Sequence, residues 1–420
     1  MCISRTVFCL QGDQIFCRPM KGTMARGLSP SQDLLQMQRL RNSLKDQAEN
    51  LMIVDMIRND LGRISTVGTI RVNSLFEVEK YPTLWQMTSS IQATTDANWI
   101  KALQALFPCA SITGAPKIST MNIISQLESA PRKIYTGTIG LITPDQRSQF
   151  NVAIRTVLYD RKFGIAEYGV GGGIVWDSQA RDEYRECSVK AQVLTRRRPD
   201  FSLLETLLWT SEEGFFLLDL HLQRLKSSSD YFSIPLDVTT VIHALEKEVE
   251  GDHVLPQKIR VLVTKQAEVK VERSTLSPNR LPMPTCVCLH HIPVNSSDIF
   301  LYHKTTHREI YRLAQGHHPE YADVLLWNEK GELTEFCNAN LVLQLQGSWY
   351  TPPVACGLLP GTYRAWLLHQ GKLQERILVL EDLQIAERVF WINSVHKMQE
   401  VQVEFSGKPH HMMHLEALQR

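Results

Sequence analysis

The sequence predicts two consecutive domains of mixed α+β and α/β character, and three observations carry that expectation. Its 420 residues are more than one hydrophobic core comfortably organises, since single domains run to roughly 50–250 residues. Hydrophobic side chains make up 43% of the chain and charged ones 21%, which supplies apolar surface for sizeable cores and argues against disorder. A break falls at Thr195-Arg196-Arg197-Arg198-Pro199-Asp200. Three consecutive arginines resist common burial, and Pro199 biases Arg198 toward extended backbone, so the preceding helical pattern stops there. The expected organisation is a first domain over residues 1–195, a linker over 196–200 and a second domain over 201–420.

Bulk properties exclude several functions. Lys+Arg 45 against Asp+Glu 44 leaves a net charge of +1, so no general field draws in nucleic acid or a membrane surface, and an anionic substrate has to be met locally. The nine cysteines include no C-x-x-C pair and read as reduced thiols of a cytoplasmic protein. Neither a leader pattern nor an apolar run of ~18 residues occurs. Histidine doublets at His290–His291, His317–His318 and His410–His411 lack a second cluster at zinc-finger spacing; they read as surface residues without a role.

In chain order, Val7–Leu10 and Gln14–Cys17 flank a Gln11-Gly12-Asp13 turn and predict a hairpin. Such a hairpin is marginal alone and needs sheet neighbours from elsewhere. Arg18-Pro19-Met20-Lys21-Gly22-Thr23 follows, and then Leu51, Val54, Ile57 and Leu61 predict a helix that stops at Gly62, with Glu49 at its start. There the simplest role for Glu49 is to complement the helix dipole. Ser111–Lys117 opens a further helical pattern with free backbone donors beside Lys117, an anion site in outline. Asn151–Thr156 reads as a buried strand interrupted by Arg155, which calls for a carboxylate partner in a substrate or in a structural ion pair. The run Tyr168-Gly169-Val170-Gly171-Gly172-Gly173 lets backbone approach a ligand, and a charged helix bearing Glu183 and Glu186 follows it.

In combination these pieces resemble the C-terminal part of the chorismate-utilising enzymes, over about residues 4–195. The resemblance implies part of a β-sandwich with helices. Pro19-Met20-Lys21-Gly22-Thr23 resembles the aminodeoxychorismate type of that family, in which the lysine attacks the chorismate ring and ammonia displaces it; anthranilate-type enzymes carry alanine there. Carried over position by position, Lys21 is the catalytic lysine, and Glu49 and Glu186 match ligands of Mg2+, a hard cation that takes few protein oxygens. Gly22, Thr23, Tyr135, Arg155, Gly171, Gly172 and Gly173 match chorismate-binding positions. Gln86 stands where anthranilate-type enzymes have a histidine linked to pyruvate elimination, which suits an enzyme that retains the enolpyruvyl group. The N-terminal half of the family fold has no counterpart, so exposed strand edges are expected unless another chain or an upstream extension covers them.

Beyond the break, Leu203–Leu207 reads as a strand, Phe215–Leu218 follows a Glu-Gly turn, and His221–Leu225 begins a helix. Alternation returns at Lys258–Thr264 and at Thr285–His290, with Pro278, Pro282, Pro284 and Pro293 bracketing the latter as a passage between subdomains. A lone lysine is usually solvated, but Lys304 lies between an apolar stretch and a helix, where partial desolvation lowers a lysine pKa and suits it to Schiff-base chemistry. Thr334-Glu335 ends one hairpin strand, Asn340–Leu343 begins the next, and Gly357–Arg364 opens a helix as a phosphate cradle.

This second set resembles the fold-type IV pyridoxal-phosphate enzymes over about residues 201–405, aminodeoxychorismate lyases foremost. The resemblance implies pyridoxal 5'-phosphate attached to Lys304, its ring nitrogen facing Glu335, and its phosphate held by Arg224, Thr362, Tyr363 and Ser394. Family members often have a hydrophobic residue at position 362, a difference that a backbone N–H contact tolerates. Fold-type IV enzymes are commonly dimers, which leaves a homodimer through this domain open. Together the two resemblances imply amination of chorismate to 4-amino-4-deoxychorismate, with ammonia from a glutamine amidotransferase partner, followed by loss of pyruvate to give 4-aminobenzoate. The alternative is a fold-type IV aminotransferase for D-amino or branched-chain acids carrying a non-catalytic chorismate-family module.

Overall fold

The computed structural model describes residues 6–174, 178–191, 194, 199–251, 255–276 and 285–405, except the side chains of Asp182 and Val189. Two compact units result: Met1–Gly27 with Ser31–Arg198, and Leu28–Pro30 with Pro199–Arg420. Of the expected linker, Arg196–Arg198 lie outside the described residues, while Asp200 accepts an ion pair from Lys265 at 2.8 Å.

The first unit is built on a hairpin. β1 (Thr6–Gln11) and β2 (Gln14–Cys17) pair across a Gly12-Asp13 turn in which Gly12 has φ +59°, a conformation glycine adopts without a Cβ clash. β3 (Met20–Ala25), β4 (Arg71–Lys80), β5 (Leu84–Thr94), β6 (Thr138–Ile142) and β7 (Ser148–Val152) complete a seven-stranded sheet in the order β3-β5-β2-β1-β7-β6, with β4 also paired to β5. The helices are α1 (Pro30–Arg41), α2 (Leu44–Gly62), α3 (Trp99–Leu106), α4 (Ala110–Thr113), α5 (Lys117–Leu127) and α6 (Ala180–Ala191); β8 (Val157–Asp160) and β9 (Ile165–Tyr168) form a separate hairpin. The core joins Phe8, Ile15, Ile91 and Phe150 of the sheet to Ile53, Val54, Ile57 and Leu61 of α2.

Several sequence expectations are corrected here. α2 begins two turns of sequence ahead of the apolar stripe, because Ser43 caps it by accepting the Asp46 N–H at 3.3 Å. Glu49 therefore lies inside the helix and not at its dipole end. The buried stripe is Asn50, Ile53, Val54, Ile57 and Leu61, and Leu51 faces solvent. Arg155 is not in a buried strand: β7 ends at Val152, and Arg155 is exposed with φ +50°. Lys117 is neutralised by Asp60 at 2.5 Å and offers no free cation to an anion.

Apolar surface in this unit goes uncovered. α5 buries none of its residues and leaves Ile118, Met121, Ile123 and Leu127 exposed. On β6 Ile139, Leu141 and Ile142 are exposed, as are Val157, Leu158, Tyr159 and Ile165 of the β8–β9 hairpin.

The second unit holds two sheets. β10 (Leu203–Thr210), β11 (Gly214–Phe215), β12 (Gln257–Val263) and β13 (Val269–Thr275) form an antiparallel sheet in the order β11-β10-β12-β13. α7 (Leu218–Phe232) and α8 (Val238–Glu248) supply Leu225, Val241 and Leu245 to its core, against Leu203, Leu207, Ile259 and Val261. The remaining strands are β14 (Thr285–Leu289), β15 (Val324–Trp327), β16 (Leu333–Phe336), β17 (Asn340–Leu345), β18 (Ser348–Thr351), β19 (Gln374–Glu375), β20 (Arg388–Asn393) and β21 (Lys397–Glu404), with helices α9 (Glu309–His317), α10 (Thr362–His369) and α11 (Leu380–Ile385). They run in the order β16-β15-β14-β21-β20-β17-β18-β19, and β16 also pairs with β17. That extra pairing closes six strands into a barrel, through Glu335 opposite Asn340.

In two of the histidine doublets the surface reading fails for one residue each: His291 and His317 are exposed, but His290 and His318 are buried, and the rings of both doublets lie together.

The corrected α2 face is testable by urea unfolding. Ile53→Ala, which empties a fully packed site, is expected to cost about 2–5 kcal/mol, whereas Leu51→Ala on the exposed face should stay within about 0.5 kcal/mol.

Candidate active sites

In the first unit, Lys21 of β3 and Glu49 of α2 come together, with Nζ 3.8 Å from Oε2. Lys21 is held through its neighbours. Asn50 donates Nδ2–H to the Lys21 carbonyl at 3.3 Å and accepts the Ser89 hydroxyl at 2.6 Å. Gln86 donates to the Gly22 carbonyl at 2.7 Å and accepts the Thr23 hydroxyl at 3.2 Å. Gln86 thus fixes the strand that presents the lysine, a role its sequence position did not disclose. Gly22 is required by conformation and by space, since its φ is +91° and a Cβ would meet Asp46 at 2.9 Å.

The glycine run passes beside the same amine. A Cβ on Gly173 would sit 3.5 Å from Lys21 Nζ, and one on Gly171 only 2.7 Å from the Tyr135 hydroxyl. α6 is tied to this run by Lys190, whose Nζ donates to the Gly171 carbonyl at 2.9 Å and pairs with Glu186 at 2.7 Å. Lys21, Glu49, Tyr135 and the glycines therefore share one neighbourhood, with Glu186 joined to it through Lys190. Arg155 makes no ion pair among the described residues, which leaves its guanidinium available to an anion.

The second unit centres on Lys304 and Glu335. The Lys304 carbonyl accepts the Leu204 N–H at 3.0 Å, which anchors it to β10. Its side chain keeps some accessible surface, yet no hydrogen bond or ion pair involves Nζ among the described residues. Desolvation, then the nearby Arg224 charge, pushes this amine down to about 7. Glu335 is buried at the barrel closure. Tyr311 donates its hydroxyl to Oε1 at 2.7 Å, the Leu359 N–H donates to the same oxygen at 3.1 Å, and Asn340 Nδ2 donates to Oε2 at 3.2 Å. Burial nevertheless pushes Glu335 up to about 7, and no ion pair reaches it among the described residues. A buried carboxylate in that condition is stabilised by an arriving N–H cation.

The phosphate-side residues are engaged in ways the sequence did not show. Arg224 forks onto Glu205, Nε to Oε1 at 2.8 Å and Nη2 to Oε2 at 2.6 Å, while Nη1 donates to the Pro360 carbonyl at 3.1 Å. Burial opposes charge on Glu205, but Arg224 and His221 outweigh it and hold the carboxyl down to about 2. Of the five guanidinium N–H groups, two remain for a ligand. The Thr362 hydroxyl is 3.2 Å from His221 Nε2, and Ser394 donates to the Thr206 carbonyl at 3.3 Å. Thr362 and Tyr363 open α10, which has no side-chain cap, so their backbone N–H groups are the free donors. Gly361 lies so close to Asn340 that a Cβ would overlap its side-chain oxygen, and Asn340 also donates to the Leu359 carbonyl at 2.9 Å. The helix start and the Glu335 carboxylate are thereby locked to each other.

An amine without a partner, a buried carboxylate without a cation and a helix start beside an arginine fit the aldehyde, ring nitrogen and phosphate of pyridoxal 5'-phosphate. Sequence reasoning missed Glu205, His221, Tyr311 and Asn340. Glu205 alone carried a signal, as an acid inside an apolar strand.

Comparison with known families defines the class. Residues 4–196 match the chorismate binding enzyme family and residues 202–403 match amino-transferase class IV. The chain thus joins a chorismate-binding domain to a class IV aminotransferase-like domain, and both are enzyme families. Among curated relatives, it is 45% identical over 178 residues to aminodeoxychorismate synthase component 1 of Klebsiella aerogenes, covering 42% of this chain and 39% of that one. It is 42% identical over 181 residues to aminodeoxychorismate synthase of Streptomyces griseus, covering 43% of this chain and 25% of that one. The chain thus spans well under half the length of either relative. A solved 4-amino-4-deoxychorismate lyase from Pseudomonas aeruginosa aligns with 52% of this chain and 90% of its own, at 20% identity and TM-score 0.42. The family match, and not this likeness, assigns the second unit. No helix among the described residues is long and apolar enough to cross a membrane.

The depressed Lys304 pKa has a direct readout. In cofactor-free protein, labelling of Lys304 by an amine-acylating reagent should rise with pH through a midpoint near 7, because the neutral amine reacts and predominates above the pKa. Surface lysines should respond only near ~10.4. Peptide mass spectrometry reads both, and a Lys304 midpoint with the surface group would contradict the desolvated site.

Proposed function

We propose that the chain carries two consecutive steps of 4-aminobenzoate formation. The first unit aminates chorismate to 4-amino-4-deoxychorismate, and the second removes pyruvate from that product. The observation that carries this reading is the pairing, on one chain, of a lysine-bearing chorismate-family site with a class IV site built on Lys304 and Glu335.

In the first unit, Lys21 Nζ attacks the ring, the ring hydroxyl leaves, and ammonia then displaces the lysine. Arg155 and the backbone of Gly171–Gly173 receive the substrate carboxylates, with Gly22, Thr23 and Tyr135 lining the site. Glu49 and Glu186 are oxygen donors that would hold Mg2+, and the ion would screen a substrate carboxylate. Ammonia comes from a glutamine amidotransferase partner, and a further polypeptide segment covers the apolar faces of α5, β6 and the β8–β9 hairpin.

In the second unit, pyridoxal 5'-phosphate supplies an electron sink for the carbon bearing the substrate amine. Glu335 would hold its ring nitrogen, and Arg224, the Thr362 and Tyr363 N–H groups and Ser394 would hold its phosphate. Lys304, once its amine is free and neutral, takes the proton from that carbon; pyruvate then leaves and the ring becomes aromatic. A dimer through this unit and a cytoplasmic location complete the proposal.

Purified chain is to be given chorismate, ammonia, Mg2+ and pyridoxal phosphate. The wild type is expected to form 4-aminobenzoate and pyruvate, and Lys304→Ala to accumulate 4-amino-4-deoxychorismate with its final step slowed on the order of 10²–10⁴-fold. Lys21→Ala should abolish use of chorismate while still converting supplied 4-amino-4-deoxychorismate. Use of chorismate unchanged by Lys21→Ala would contradict the first assignment. A wild type that ignores chorismate yet converts the intermediate would confine the reading to the second unit.

A further inference from the structure

Two histidine doublets that stand 26 residues apart in sequence, by the difference 317 − 291, meet at one end of the second unit's barrel. His290 follows β14 and is held by the barrel itself: its N–H donates to the Leu325 carbonyl at 2.8 Å, and its own carbonyl accepts the Trp327 indole N–H at 2.7 Å. Its ring is buried, and its Nδ1 has no hydrogen-bond partner. A buried imidazole nitrogen left unsatisfied is costly and calls for an unseen partner.

The surroundings say which kind. His317, the last residue of α9, stacks on His290 with ring centroids 5.6 Å apart and planes at 19°, and the His291 ring lies 4.8 Å from His290. His290, His291 and His317 each bring a ring nitrogen within 4.8 Å of the others. A tetrahedral ion with metal–nitrogen bonds of ~2.0–2.1 Å needs its donors roughly 3.4 Å apart, a closure within reach of small rotations of the two exposed rings. No carboxylate belongs to the group, so its chemistry is all-nitrogen and unlike the oxygen set of Glu49 and Glu186.

We propose that His290, His291 and His317 form a binding site for one borderline divalent transition-metal ion of the Zn2+ class, with water in the fourth position. Imidazole sets suit Zn2+, Ni2+, Co2+ and Cu2+ and are poor hosts for Mg2+. His318 is the positioning residue: its Nε2 lies 3.4 Å from His291 Nδ1, so His291 coordinating through Nε2 donates Nδ1–H to it, which fixes ring and tautomer. The ion clips the C-terminus of α9 to the end of β14. α9 carries Tyr311, whose hydroxyl bonds Glu335, so the clip steadies a support of the cofactor site without touching it.

The test is Zn2+ titration of the full-length protein loaded with pyridoxal phosphate, in excess Mg2+ to occupy oxygen sites, by calorimetry and by the visible spectrum of the Co2+ form. His291→Ala and His317→Ala are the controls, since both positions are exposed and their loss leaves the fold intact. The wild type should take up one Zn2+ per chain with micromolar or tighter affinity, give a tetrahedral Co2+ spectrum and gain in thermal midpoint. Each variant should lose affinity at least ~10-fold, and His318→Ala by about 10–100-fold, with the lysine-bound cofactor absorbance unchanged. Zn2+ binding that is undetectable at micromolar concentration, or equal in wild type and both variants, would overturn the site.

Discussion

The second unit depends on a single strand pair. Glu335 sits opposite Asn340 where β16 meets β17 and the barrel closes, so the register of the closure decides where the carboxylate points. A slip of one residue would send Glu335 to the other face. Asn340 then joins that carboxylate to the Leu359 carbonyl and crowds Gly361, so the loop that opens α10 cannot move independently of Glu335. The Glu335 carboxylate and the start of α10 are thus set at a fixed spacing by backbone pairing and one amide side chain.

The same closure carries an energetic cost. Burying a carboxylate without a cation costs several kcal/mol, and three donated hydrogen bonds only partly offset it, since Glu335 still titrates near 7. Lys304 is in the converse condition, an amine that burial holds near 7 as well. Both groups are stabilised by a ligand that brings a cationic nitrogen to one and an electrophilic carbon to the other. By contrast, the buried Glu205 carboxylate nearby is met by both Arg224 and His221.

What was legible in the sequence was the chemistry carried by contiguous residues. The Lys21 segment stands out through a family resemblance and the Lys304 and Gly357–Arg364 segments through local pattern, while the hairpin at Gly12-Asp13 follows from its turn residues. What depends on distant strands coming together was hidden. The histidine doublets look like surface residues until barrel topology stacks one against the other, and Tyr311 has no signature until α9 brings it to Glu335. The stripe residues Val54, Ile57 and Leu61 are buried as expected, but the helix is capped at Ser43, several residues before the stripe, so its earlier members are Asn50 and Ile53 in place of Leu51, and Glu49 lies inside the helix. Arg155 was assigned to a strand by its apolar neighbours, but β7 stops at Val152 and releases it to solvent.

The first unit brings Lys21, Glu49 and the glycine run together while leaving apolar faces of α5, β6 and the β8–β9 hairpin uncovered, whereas the second unit buries its cores within itself. The central claim therefore rests on what the second unit does with its substrate, elimination against amino transfer. The direct measurement supplies 4-amino-4-deoxychorismate alone to the purified chain, and in parallel a D-amino or branched-chain amino acid with a keto acid. Equal amounts of 4-aminobenzoate and pyruvate from the first, with no keto-acid exchange in the second, is the expected result; amino-group exchange without 4-aminobenzoate would contradict it.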